Sequence, residues 1–155
     1  MGAFFHLIID KTFYFIYYSM ILLNKDEINR VIVTASENVT IPFPVYFLFE
    51  VISDDTLSPK YFTAADISSN SCRYNEFLIE VTTGTEDLTT GVINLPLSGY
   101  YKYNIYQQDI EFNVDPSLAG DIVETGKLYL RGEDKPDTTK YTNNDNNNYI
   151  TYNNG

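Results

Sequence analysis

The side chains of this chain that could do chemistry are few and scattered. Its single histidine, His6, and its single cysteine, Cys72, lie far apart. His6 also falls in an N-terminal stretch unlike the rest, so neither a Ser-His-Asp or Cys-His arrangement nor a histidine metal cluster can be assembled. Carboxylates are plentiful. A glycosidase needs only two of them, one acting as acid and one as base or nucleophile. Here Asp54, Asp55, Glu86, Asp87, Asp109 and Glu111 sit in turn-like stretches such as "DDTLSP" and "TGTEDLTTG" without a motif, where charged residues are ordinarily just solvated. Calcium requires only hard oxygen ligands, which Asp54, Asp55 or Asp109 would offer between loops, but no EF-hand spacing is present. "NVT" at 38 to 40 fits the glycosylation sequon, a pattern short enough to arise often by chance. No glycine-rich phosphate loop occurs. We therefore expect no catalytic residues, no cofactor and no metal, and a protein that is not an enzyme. A lone cysteine rules out an intrachain disulfide, and Cys72 is expected to be a buried or half-buried structural residue.

The chain instead concentrates aromatic surface. In "LPLSGYYKYNIYQQ" (95 to 108), four tyrosines cluster after Gly99. Twofold alternation puts Tyr101, Tyr103 and Ile105 on one face of a strand and Tyr100, Lys102, Asn104 and Tyr106 on the other. The mixed polarity of the second set suits solvent or a partner, so these four form the candidate partner surface.

The elements that would position them are strands. From residue 28 the chain is a series of short alternating runs rich in β-branched and aromatic residues, punctuated by turn residues, with no amphipathic helix. "RVIVTAS" turns Val31 and Val33 inward. "PVYFLFEVIS" has Val45, Phe47, Phe49 and Val51 on one face and Tyr46, Leu48 and Ile52 on the other, the mark of a central strand. "KYFTAAD", "CRYNEFLIEVT", "VINLPL" and "GKLYLRG" continue the series. Pro96 suits an edge or a strand end, and Ile93, Leu95 and Leu97 are expected to share a face. Between 108 and 126, "DPSLAGDIVE" predicts a short helical turn capped by Asp115 with Pro116 at its first position. About seven strands in this span predict an all-β fold, an antiparallel two-sheet sandwich. Val31, Phe47, Phe49, Ile79, Leu95, Tyr101, Tyr103, Ile105 and Leu128 are its expected core.

The chain has 155 residues and a net charge of -11, which suits one domain and repels nucleic-acid phosphates and anionic membranes. The apolar run Phe13 to Leu23 is shorter than the roughly 20 residues a spanning helix needs, and Asp10 and Lys11 would sit near mid-membrane if it were extended. No small-x-small cleavage site follows it. Residues 1–19 are therefore set apart as an extension, with Met20 the expected start of a sandwich domain spanning 20–132. The Asn/Thr/Tyr-rich segment 133–155 is expected to be a flexible tail whose "NYITY" (148 to 152) could add a strand.

Two resemblances add to this. The order of strand, Ser-Gly turn and tyrosine-bearing strand in "INLPLSGYYKYNIY" resembles the E–F corner of immunoglobulin-like and fibronectin-like domains. It implies Gly99 and Tyr101 as a structural corner in which the tyrosine hydroxyl returns to upstream backbone. The ordered set "VYFLFEVIS", "CRYNEFLIEVT", "GVINLPLSGYYKYNIYQQ" and "DPSLAGDIVETGKLYLRG" resembles small, mostly uncharacterised virion-associated proteins of tailed phages, over about residues 28 to 155. That resemblance implies a capsid decoration, head-fibre or other minor particle component, assembled in the host cytoplasm and docking on other virion proteins. It carries over no site residues. Self-association through the tail or the edge near "VINLPL" is a further expectation. The alternative is a module that stacks surface carbohydrate on Tyr100 and Tyr106.

Overall fold

The computed structural model describes residues 19–132. The N-terminal extension up to residue 18, with His6, and the tail 133–155, with "NYITY", lie outside the described residues. Eight strands are present: β1 (Ser19–Asn24), β2 (Ile28–Val33), β3 (Tyr46–Ser53), β4 (Pro59–Thr63), β5 (Asn75–Val81), β6 (Val92–Ile93), β7 (Gly99–Gln108) and β8 (Ile122–Arg131). They form a five-stranded sheet in the order β1-β8-β7-β3-β4 facing a three-stranded sheet in the order β2-β5-β6.

The all-β, sandwich-like architecture matches expectation, but the purely antiparallel pairing does not. Both sheets are mixed: β1 runs parallel to β8, with Ile21 opposite Leu128, and β5 runs parallel to β6. Tight hairpins force antiparallel neighbours, whereas neither of these pairs is joined by one. β1 and β8 are the first and last described strands, and the loop 82–91 turns the chain back before β6. β1 was not expected as a strand. "SMILLN" is apolar at four successive positions, which hides its alternation, yet Ile21 and Leu23 enter the core while Met20 and Leu22 stay exposed. The first strand thus starts at Ser19, inside the segment set apart as an extension.

β3 is central as expected, paired with β7 on one side and β4 on the other. Its inward phenylalanines organise the core: Phe49 stacks on Phe62 at 5.0 Å and meets Phe77 edge-on at 4.9 Å, and Phe47 meets Phe77 at 5.7 Å. All nine residues expected in the core are buried. Such rings dominate burial energetics, each worth about 3–5 kcal/mol if truncated to alanine.

Two local expectations need correcting, and a third is met over a shorter span. Leu97 does not share the buried face of Ile93 and Leu95 but is 41% exposed, because β6 ends at Ile93 and Pro96 cannot continue a ladder. Cys72 is exposed, since β5 begins only at Asn75 and the cysteine lies in the turn before it. The helical turn near Asp115 is only the 3-10 segment Pro116–Leu118, with the Asp115 carboxylate accepting from the Ser117 N–H; Ile122–Glu124 of the same stretch already belongs to β8.

Candidate functional site

The four residues expected to form a partner surface do lie on one face of β7, the outer face of the five-stranded sheet, but tertiary contacts divide them. Tyr100 is 56% exposed and leans against Tyr129 of β8, with ring centroids 4.8 Å apart. Lys102 is exposed beside it. Asn104 is buried and Tyr106 half-buried, because both are bound to a residue that sequence reasoning missed, Glu50 of β3. Glu50 Oε2 accepts from Asn104 Nδ2 at 2.5 Å and from the Tyr106 hydroxyl at 2.9 Å, while Oε1 accepts from the Tyr61 hydroxyl of β4 at 2.7 Å. Thr125 of β8 donates to Asn104 Oδ1 at 2.8 Å, so the network spans four adjacent strands. The signal was present in "VYFLFEVIS": a carboxylate on a strand apolar on both faces must find donors.

The electrostatics of this cluster are those of a latch. Burial pushes the Glu50 carboxyl upward, but hydrogen bonds from Asn104, Tyr61 and Tyr106, with the nearby Lys102 charge, outweigh it and hold the group below the usual carboxylate range. The bond to Glu50, then burial, pushes the Tyr61 hydroxyl up to about 12. Burial and the same carboxylate raise Tyr106. Each group is thereby fixed in one protonation state near neutrality.

The corner residues lie at the start of the same strand. Gly99 has φ +131°, a conformation open to glycine and strained for other residues, and the Tyr101 hydroxyl donates to the Leu97 carbonyl at 2.5 Å. This bond satisfies a carbonyl that β6 no longer pairs. Beside it, a groove of about 410 Å³ runs between the sheets, floored by Val51, Leu95 and Tyr101 and rimmed by Ser53, Thr56 and Ser58.

At the opposite end of β7 a second surface is assembled by loops. Tyr46 pairs with Gln108, which brings the β2–β3 loop (34–45) beside the β7–β8 loop (109–121). Buried amides tie these loops down. Gln107 Oε1 accepts from the Thr40 N–H at 2.8 Å while its Nε2 donates to Thr40 Oγ1 at 2.7 Å. Its backbone carbonyl accepts from the Gly120 N–H at 2.8 Å. Asn75 accepts from the Ser36 N–H and donates to Ser36 Oγ and to Asp66, joining the β4–β5 loop to the first. Gln108 at the end of β7 and Asn113 of the β7–β8 loop bind each other. Burial pushes the Asp66 carboxyl up, but bonds from Asn75 and from the Ser68 and Glu76 N–H groups outweigh it and lower it. These anchored loops expose large apolar side chains: Phe43 at 76%, Phe112 at 58% and Leu118 at 56%, with Ile67 and Ile110 also exposed.

Among the described residues no group of His, Cys, Asp and Glu side chains is placed to hold a metal, and no helix is long and apolar enough to cross a membrane. Asp54, one of the calcium candidates, instead binds Lys127 Nζ at 2.8 Å. Comparison with family models, with curated proteins and with solved structures finds no match for the chain.

Proposed function

We propose that this protein is a non-enzymatic docking module that acts by protein–protein contact. The observation that carries the reading is the loop end: polar anchors hold three loops to the sandwich while those loops present Phe43, Ile67, Ile110, Phe112 and Leu118 to solvent. Exposed apolar residues gathered on ordered loops mark contact surfaces, and preorganisation lowers the entropy lost on binding. The Glu50 cluster, for its part, is not tuned for acid–base catalysis. Proton transfer at neutral pH wants groups tuned toward 7, whereas Glu50 is lowered and Tyr61 and Tyr106 are raised. In support of an immunoglobulin-like sandwich, β2 and β5 stand where strands B and E would and β3, β7 and β8 where C, F and G would, although the strand leading into the Tyr101 corner is then the two-residue β6 and not E as expected. The Tyr101–Leu97 bond supports it as a tyrosine corner.

Together with the likeness in "RYNEF", "LPLSGYYKYNIYQQ" and "ETGKLYLRG", this gives our specific reading: a capsid decoration, head-fibre or other minor component of a tailed-phage virion, assembled in the host cytoplasm. Copurification with intact particles tests it. The wild-type chain should travel with the particles, and a folded Phe43→Ser, Phe112→Ser double variant should not. Equal retention of both would refute docking through this end. A second reading, carbohydrate binding, is favoured by the Tyr100–Tyr129 pair with Lys102 alongside. Glycan-array binding lost in Tyr100→Ala would support it over the first.

A further inference from the structure

We infer that the cleft between the start of β3, the end of β4 and the β7–β8 loop receives an arginine or lysine side chain from a basic segment of the docking partner. The inference rests on the docking reading and adds the chemistry of what is docked. The cleft has a volume of about 260 Å³, just below the roughly 300–1,000 Å³ of small-molecule pockets, a size suited to one long side chain.

Its lining has two chemistries. Val45, Phe47 and Ala64 make an apolar base, Tyr46 and Phe112 bring aromatic rings, and Asp66 and Glu111 add carboxylates. A lysine or arginine fits both parts, because its methylene stem buries against apolar surface while its charged head stays with carboxylates and aromatic faces. An apolar side chain would strip water from Asp66 and Glu111 without replacing it. An anion would meet these carboxylates together with a net charge of -11. Asp66 is held ionised by Asn75 and two backbone N–H groups, so its negative charge is a fixed feature of the cleft. Phe112, in a turn at φ +59°, lines the cleft while the residue stays 58% exposed, so its side chain is accessible to a partner.

The test is a nuclear magnetic resonance titration of the isotope-labelled full chain with a capped Gly-Arg-Gly peptide and with its neutral citrulline counterpart. Arginine peptide should shift the amides of Ala64, Ala65 and Phe112, with citrulline binding about fivefold more weakly. Phe112→Ala and, separately, Glu111→Gln should each weaken arginine binding about two- to fivefold, with circular dichroism showing both variants folded. Equal binding of the two peptides, no shifts at millimolar peptide, or shifts spread over the acidic surface and indifferent to Phe112→Ala would each overturn the inference. Those results leave the particle experiment untouched: if Phe43→Ser, Phe112→Ser still abolishes copurification, docking stands and only the basic partner is lost.

Discussion

Glu50→Gln is the most searching perturbation of the sheet-face network. The amide keeps the shape but loses the charge, and it points an NH2 group toward a donor where the carboxylate offered only acceptors. Hydrogen bonds to an ionised group are worth about 1.5–3 kcal/mol each. The Tyr61 and Tyr106 hydroxyls are half-buried and can turn to water, so most of the loss falls on Asn104, which is 6% exposed. We expect a net destabilisation of about 2–3 kcal/mol, a fall in melting temperature of roughly 8–12 °C for a domain of this size. Urea denaturation should show a lower midpoint at unchanged slope. The pH dependence supplies the sign. Because the folded pKa of Glu50 lies below its ordinary 4.5, its contribution is fully present above that value and is lost as pH falls through the folded pKa. The gap between wild type and variant should therefore close as pH falls below 4.5 and through the lowered folded pKa. On the alkaline side Tyr61, raised from 10.0 to about 12, contributes fully below pH 10 and loses that contribution as pH rises toward 12. Tyrosinate absorbance should show late-ionising tyrosines, with those bound to Glu50, Tyr61 and Tyr106, moving earlier in Glu50→Gln. A stability gap that stays constant across the acid range, or one below about 0.5 kcal/mol, would refute the reasoning.

Three further outcomes are expected. Tyr101→Phe, which removes the hydroxyl bound to the Leu97 carbonyl, should cost about 1–2 kcal/mol by chemical denaturation; no loss would mean that water replaces the bond. A chain starting at Met20 should melt within a few degrees of the full chain, whereas one starting at Lys25, which lacks the buried Ile21 and Leu23, should lose about 3–6 kcal/mol. Similar melting of those two chains would exclude β1 from the cooperative unit. Cys72, exposed in the turn before β5, should react with a thiol reagent in the native protein as readily as in urea, and protection under native conditions would contradict its placement.

Alternation in the sequence was enough to assign β2 through β5, β7 and the inward Phe47 and Phe49, though not Phe62, because on a pleated strand the identity of every second residue reports directly which face is buried. The turn at Asp115–Pro116 was likewise readable, since capping and a fixed φ are properties of neighbouring residues. β1 was not, because "MILL" is apolar at every position and twofold and helical patterns look alike in so short a run. Its parallel pairing with β8 depends on which edge of a distant sheet stands open. The candidate surface divides in the same way. That Tyr100, Lys102, Asn104 and Tyr106 share a face follows from their spacing. That two of them are consumed by Glu50 follows only from the register of β3 against β7, which sets Glu50 opposite Asn104. The loop end is more strongly tertiary still, since Gln107, Asn75 and Ser36 are separated along the chain and become anchors only once both sheets have packed. Local preference reaches a few residues along the backbone, whereas a buried amide or carboxylate takes its role from whichever donors and acceptors the finished fold brings within hydrogen-bonding distance.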